Sequence, residues 1–194
     1  TGVQTCALPI STFPGPNPSE MGWASIVSRK LGLPYDNRAL PGASNLEIHW
    51  ILRHSDITKD DLVMVEWSYV DRSCLLETQP VQVGPWIETD TSLLYYQAHS
   101  DLDLMNRTML IIEHTALLLD RIGVKWLFFA NDGVGINGPI RHSIIDCFQK
   151  HECDSADDEI HPGILSNQIW AEIVLRHANH RLSGAEWPYG LKLS

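Results

Sequence analysis

The stretch DLVMVEWS, residues 61–68, is an apolar run of strand length. Its apolar side chains fall on both alternating sets, Leu62 and Met64 on one and Val63, Val65 and Trp67 on the other, so neither face is suited to water. A strand buried on both faces belongs to a sheet covered on both sides by helices. The flanking sequence supplies them. WASIVSRKLG (23–32) puts apolar residues at 23, 26, 27 and 31, a helical spacing, with Gly32 as its C-cap. LPYDNRAL (33–40) reads as a short strand and PGASN (41–45) as a turn, from which Ser44 or Asn45 caps the helix LEIHWILRHS (46–55). VKWLFFAND (124–132) is the next buried strand, ended by GVGING. Strand and helix in alternation predict an α/β protein with a parallel sheet, a small three-layer sandwich.

The remaining segments are expected as follows. Residues 70–91 carry Pro80, Gly84 and Pro85 and read as one irregular, long connection of the kind that is often functional. Residues 92–122 read as one long helix with Leu102, Met105, Met109, Ile112, Ala116 and Leu119 on a shared face. IRHSIIDCFQK (140–150) reads as a short helix, and ILSNQIWAEIVLRHANHRL (164–182) as a closing amphipathic helix. Ligands of such sheets collect at the carboxyl ends of the strands. The loops there are PGASN, SYVDR and NDGVGING, and DDEIHPG (157–163) joins them in a three-layer fold. Asn131 and Asp132 read as loop residues beside that cleft. A nucleotide site at PGASN or NDGVGING is a weak alternative, because neither is a P-loop or a complete dinucleotide fingerprint.

Composition narrows the partners. The 194 residues suit one domain, and 44% hydrophobic with 20% charged residues is ordinary for a soluble globular chain. A net charge of -10 argues against nucleic acid or an anionic membrane surface as partner. No apolar run reaches the roughly 20 residues of a membrane span. Cys6, Cys74, Cys147 and Cys153 form no CxxC and have no zinc-type histidine spacing, which fits a reducing compartment such as the cytoplasm. His177 and His180 lie three apart on the closing helix, but with no acid or cysteine to complete a site they read as a solvated helix end. No metal and no cofactor is implied. The seven tryptophans are either core or pocket lining.

DDEIHPG carries the strongest chemical signal. Asp158 and His161 stand three apart before a Pro-Gly and a helix. A carboxylate that accepts from the ring N–H fixes the tautomer of a histidine and stabilises the imidazolium once a proton is taken. Among nine histidines, a DxxH alone arises by chance as readily as not, so the pair needs context.

That context is a resemblance. DNRALPGASN resembles the second motif of the SGNH/GDSL hydrolases, and DDEIHPGILSNQIWAEIV resembles their last, a DxxHP followed by a helix with a Trp-Ala pair. Their order and spacing match as well, and the likeness covers most of the chain after residue 11. The resemblance implies a flavodoxin-like three-layer α/β/α sandwich with a parallel sheet, and hydrolysis of an ester or related acyl group on a small molecule or a polymer. It implies His161 as base, Asp158 as its orienting acid and the Gly42 N–H as an oxyanion donor. Asn45 is either a helix cap or a pocket donor. The third oxyanion donor of the family, an Asn, falls at Val70, which donates nothing. Ser68, Tyr69 or Arg72 are the substitutes, and Arg72 either suits an acidic substrate or pairs with Asp71. The departure at Val70 favours an alternative, a non-catalytic module that binds carbohydrate or a surface polymer.

The nucleophile is the missing part. TGVQTCALPI (1–10) resembles the translation of a common sequencing-adapter oligonucleotide, which makes it an artefactual tract ahead of a single domain at 11–194, with the first strand missing or replaced. If Thr12 matches the family's GDSxT, the serine falls at Ile10, and Ser11 is the runner-up. The chain as it stands is then expected to be inactive, and its natural start, with any signal peptide, is not visible.

Overall fold

A computed structural model describes residues 3–6, 22–40, 42–76, 80–84, 87–131, 144–155 and 162–184. In chain order the elements are β1 (Val3–Cys6), α1 (Trp23–Leu31), β2 (Tyr35–Asn37), α2 (Asn45–Arg53), β3 (Leu62–Trp67), β4 (Ser73–Leu76), β5 (Pro80–Val83), α3 (Asp90–Ala98), α4 (Asp101–Ile122), β6 (Lys125–Ala130), β7 (Ile144–Cys147), a 3-10 turn at Phe148–His151 and α5 (Ile164–Leu182).

Five strands form one sheet in the order β2-β1-β3-β6-β7. All four pairings are parallel. The run that opened the sequence reading is its middle strand, buried at every position from Leu62 to Trp67. Its register with β6 is unbroken, from Leu62 opposite Lys125 to Trp67 opposite Ala130. This is the doubly wound order 2-1-3-4-5, with the chain reversing direction across the sheet between β1 and β3. The expected fold class is the one observed. The first-strand position is filled by Val3–Cys6, from within the tract that the sequence reading set aside.

The alternating side chains of β3 and β6 feed two cores. Leu62, Met64, Leu127 and Phe129 pack against α1 and α5. Val63, Val65, Trp126 and Phe128 pack against α2 and α4. The first core is aromatic. Phe148 stacks on Trp170 with centroids 4.7 Å apart, and Trp23 meets Phe148 edge-on at 5.3 Å. Trp170 Nε1 donates to the carbonyl of Phe148 at 3.0 Å, so its one polar atom is satisfied. Burying each such side chain contributes about 1.5–3 kcal/mol. Of the seven tryptophans, Trp23, Trp67, Trp126 and Trp170 are core residues and Trp50 is half-buried, whereas Trp86 and Trp187 lie outside the described residues.

Three expectations are corrected. Residues 70–91 are not simply irregular: β4 and β5 pair as an antiparallel hairpin, from Ser73 opposite Val83 to Leu76 opposite Pro80. The helical pattern of 92–122 is two helices. Ser100 interrupts it by taking an N-cap conformation and accepting from Asp103 N at 3.3 Å. The buried face of α4 is Leu104, Thr108, Ile112, Thr115, Ala116 and Leu119, whereas Leu102 is 61% exposed. Of the helix expected at 140–150, the described part, from Ile144 onward, is instead the strand β7 followed by a 3-10 turn, since the Ile144–Ile145 pair suits a place beside β6 better than a helix.

Candidate active site

The crevice of a doubly wound sheet lies beyond the carboxyl ends of the strands on either side of the reversal. Here those are β1 and β3. Ser11, Asp158 and His161 lie outside the described residues, so the site is built from what surrounds them.

The turn after β2 is set by Gly42, whose φ of 70° places it in the left-handed region. A Cβ there would lie 3.2 Å from Gln82 Oε1, because the β4–β5 hairpin folds over this turn. Ser44 is the helix cap, its hydroxyl accepting from Glu47 N at 3.2 Å. Asn45 is therefore the first residue inside α2, and it is 1% exposed. Its side chain copies a neighbouring strand. Asn45 Oδ1 accepts from Ser68 N at 2.7 Å, and Asn45 Nδ2 donates to Ser68 O at 3.1 Å and to Thr108 Oγ1 at 3.5 Å. With its amide occupied in this way, Asn45 serves to bind the turn after β2 to the end of β3.

Ser68 is thereby fixed at the end of β3, and Arg72 Nη1 reaches its hydroxyl at 3.5 Å. The Arg72 guanidinium lies over the Tyr69 ring, 5.0 Å from the centroid. Beyond β6, Asn131 N donates to Trp67 O at 2.9 Å and prolongs the β3–β6 pairing into the crevice. Val70 and Arg72 share the wall of a cavity between the hairpin and α4.

On the other face of β3 sits Glu66, which the sequence reading passed over. It is 3% exposed, and its Oε2 accepts from Trp23 Nε1 at 3.0 Å. Burial pushes its carboxyl up to about 7, against the opposing pull of the Trp23 bond and the Arg72 charge. The missed signal was a lone acid inside VMVEW.

Of DDEIHPG only Pro162 and Gly163 are among the described residues, together with Asp154 and Ser155 just before it. Ser155 and Pro162 form an antiparallel bridge, and Gly163 N donates to Asp154 O at 2.9 Å. The Asp154 carboxylate accepts from Leu165 N at 2.8 Å and Ser166 N at 2.6 Å, capping α5 from outside it. Burial alone would raise the Asp154 carboxyl, but the bond donated by the Ser166 hydroxyl, with those from Ser166 N and Leu165 N, holds it below the usual carboxylate range. Gly163 leaves the room for this cap: a Cβ there would lie 2.3 Å from Asp154 Oδ2 and 2.8 Å from Ser155 O. Asn167, fully buried in the first turn of α5, donates to Gly163 O at 2.9 Å and accepts from Trp23 N at 3.1 Å. The end of β3, the start of α1 and the start of α5 are thus joined in a hydrogen-bonded chain, Glu66 to Trp23 to Asn167 to Gly163.

No family model matches the chain, and no curated protein matches it. Solved structures do. One is a lipolytic protein of the G-D-S-L family from Desulfitobacterium hafniense, at 9% identity and a TM-score of 0.54, over 91% of this chain and 98% of that one. The chain has the SGNH/GDSL hydrolase fold. The psychrotrophic esterase EstA from Pseudoalteromonas sp., inhibited by monoethylphosphonate, matches at 10% identity and a TM-score of 0.54, over 94% and 99%. A carbohydrate esterase, whose active site is described as having divergent catalytic and non-catalytic binding functions, matches at 9% and 0.54, over 92% of this chain and 64% of that one. In this SGNH fold no described helix is long and apolar enough to cross a membrane. Among the described residues, no group of three or more His, Cys, Asp or Glu side chains is placed to hold a metal ion.

Proposed function

We propose that this chain is a serine hydrolase of the SGNH/GDSL type acting on an ester or related acyl bond of a small molecule or polymer. The supporting observation is the bond from Trp23 N to Asn167 Oδ1, which ties the helix after the serine-bearing segment to the helix after the His161 loop. His161 takes the serine proton as the hydroxyl attacks the acyl carbon, and Asp158 accepts from the other ring nitrogen and steadies the imidazolium. The oxyanion faces the backbone N–H of Gly42. His161 returns the proton to the leaving alcohol, and water then cleaves the acyl-enzyme by the same steps.

The serine belongs at position 10, so the chain with Ile10 hydrolyses esters slowly or not at all. The test is Ile10→Ser, assayed on p-nitrophenyl acetate. Hydrolysis gained by Ile10→Ser and lost again in Ile10→Ser/His161→Ala supports the proposal. No gain, or equal rates with and without His161, rejects it. Measurable activity in the parent that Ser11→Ala abolishes would move the nucleophile to Ser11.

The second reading is a non-catalytic binding module for carbohydrate or a surface polymer. Val70 at the donor position favours it, and so does the shared fold with a carbohydrate esterase that has non-catalytic binding functions. Retardation of the protein in polymer-containing gels, with no hydrolysis after Ile10→Ser, would select this reading.

A further inference from the structure

Two histidines meet where α2 packs on α4. His49 Nε2 and His114 Nδ1 stand 3.3 Å apart, with the rings tilted by 52° and their centroids at 4.9 Å. Two imidazole nitrogens, each about 2.05 Å from one tetrahedral zinc ion, are themselves about 3.3 Å apart. The ring centroids then lie about 5.2 Å apart. A head-on N–H···N bond of the same length would hold them at about 5.6 Å. At 4.9 Å the ring axes are bent off the line between the nitrogens, as a shared ion requires and a strong hydrogen bond does not.

His49 is held in the form that ligates. Thr115 Oγ1 donates to Ile111 O at 2.7 Å and so accepts from His49 Nδ1–H at 2.8 Å, which leaves the lone pair on Nε2. Metal-binding histidines are oriented in this way, by a fixed acceptor on the other ring nitrogen. Burial also holds the His49 pKa down to about 4, so Nε2 carries no proton at neutral pH. His49 is 8% exposed, whereas His114 is exposed, so a rigid inner ligand is paired with an outer one that a cation reaches from solvent. The net charge of -10 favours a cation overall, and Arg53, four residues along α2 from His49, opposes it locally. His54 also acts on His49 through its charge, but its Nδ1 is bonded to Trp50 O at 2.7 Å.

We propose that His49 Nε2 and His114 Nδ1 chelate one divalent transition cation of the zinc class, with water in the remaining positions, and so pin α2 to α4. Imidazole suits zinc, nickel and copper alike. Binding replaces the bond between the two rings. The proton on His114 Nδ1 passes through solvent to Nε2 of the same ring, so both ligands are neutral and no net proton is released. Two side chains are fewer than a resident zinc centre uses, which makes this an exchangeable site. It needs no part of the serine chemistry.

Calorimetric titration of the whole chain with zinc chloride tests it, in a Cys153→Ser/His177→Ala/His180→Ala background that removes an exposed thiol and the histidine pair of α5. One zinc per chain is expected, with a rise in melting temperature because the ion binds the folded pair. His114→Ala is expected to weaken this zinc by at least about tenfold and to abolish the rise in melting temperature. Thr115→Val keeps both ligands and removes the acceptor that orients His49. It is expected to weaken zinc by about tenfold or more, with circular dichroism confirming the fold. No saturable heat at millimolar zinc, a melting shift that survives His114→Ala, or zinc affinity unchanged by Thr115→Val would each overturn the proposal.

Discussion

The backbone N–H of Trp23 donates to Asn167 Oδ1 at 3.1 Å, joining the first residue of α1 to the first turn of α5 across 144 residues of sequence. The amide nitrogen of the same side chain holds the carbonyls of Gly163, at 2.9 Å, and Pro162, at 3.4 Å. One buried amide therefore fixes where the chain enters both helices. Asn167→Ala leaves a helix-start N–H and two loop carbonyls without this partner. The expected cost is about 2–3 kcal/mol in urea unfolding, together with loss of the hydrolysis gained by Ile10→Ser. A change below about 0.5 kcal/mol would mean that Asn167 is not the tie.

Gly163 is predicted to be irreplaceable for reasons of space. A methyl group there meets Asp154 Oδ2 at 2.3 Å and the backbone oxygen of Ser155 at 2.8 Å. The carboxylate has to turn away, which uncaps Leu165 N and Ser166 N, and the bridged base of the 155–162 loop has to open. Gly163→Ala should cost about 1–3 kcal/mol and displace the loop that carries His161. Melting temperature and esterase rate in the Ile10→Ser background are the measurements. An unchanged melting temperature would rule out the steric account.

The sequence shows the sheet wherever burial is two-sided and the strand is long. DLVMVEWS and VKWLFFAND were readable because apolar residues occupy both alternations. The hairpin was not, because β4 and β5 are four residues each, and β5 begins on Pro80 and is followed by Gly84, residues that punctuate loops. The α3–α4 break was foreshadowed only by Ser100 and Asp103, a cap signal inside an otherwise continuous helical pattern. Near the site, the Gly42 turn is a local pattern and could be read directly. Glu66 and Asn167 could not, since each acts through a partner 43 or 144 residues away.

Glu66 makes a prediction about pH. Its carboxyl is raised from 4.5 to about 7 by burial, so the fold holds the neutral form more tightly than the unfolded chain does. The stability this contributes is complete below pH 4.5 and is lost as pH rises through about 7. The span is about 3 kcal/mol at most. Glu66→Gln keeps an acceptor for Trp23 Nε1 and removes the titration. It should match the parent at pH 4.5 and exceed it by about 1–3 kcal/mol at pH 8. A stability difference between the two that does not vary with pH would remove Glu66 as the titrating group.

His49 should act in the opposite sense over nearly the same window. Thr115 Oγ1 donates to Ile111 O at 2.7 Å, so it accepts from His49 Nδ1–H at 2.8 Å. His49 Nε2 is then the acceptor and takes the Nδ1–H of His114 at 3.3 Å. A second proton on His49 would land on Nε2 and break that bond. Burial, helped by the charges of His114, Arg53 and His54, holds its pKa down from 6.5 to about 4. Stability from neutral His49 is therefore complete above pH 6.5 and is lost as pH falls through about 4, by about 1–2 kcal/mol after allowance for solvent at the pair. Glu66 gains stability while His49 loses it on the way down, so the two slopes offset each other in the parent. Glu66→Gln should uncover a fall in stability between pH 6.5 and 4.5, and His49→Asn, which retains a donor for Thr115, should uncover a rise. Urea unfolding of the parent, both single variants and the double variant across that range checks the pair. The double variant should be flatter than either single one, and parallel curves for all four proteins would exclude both assignments.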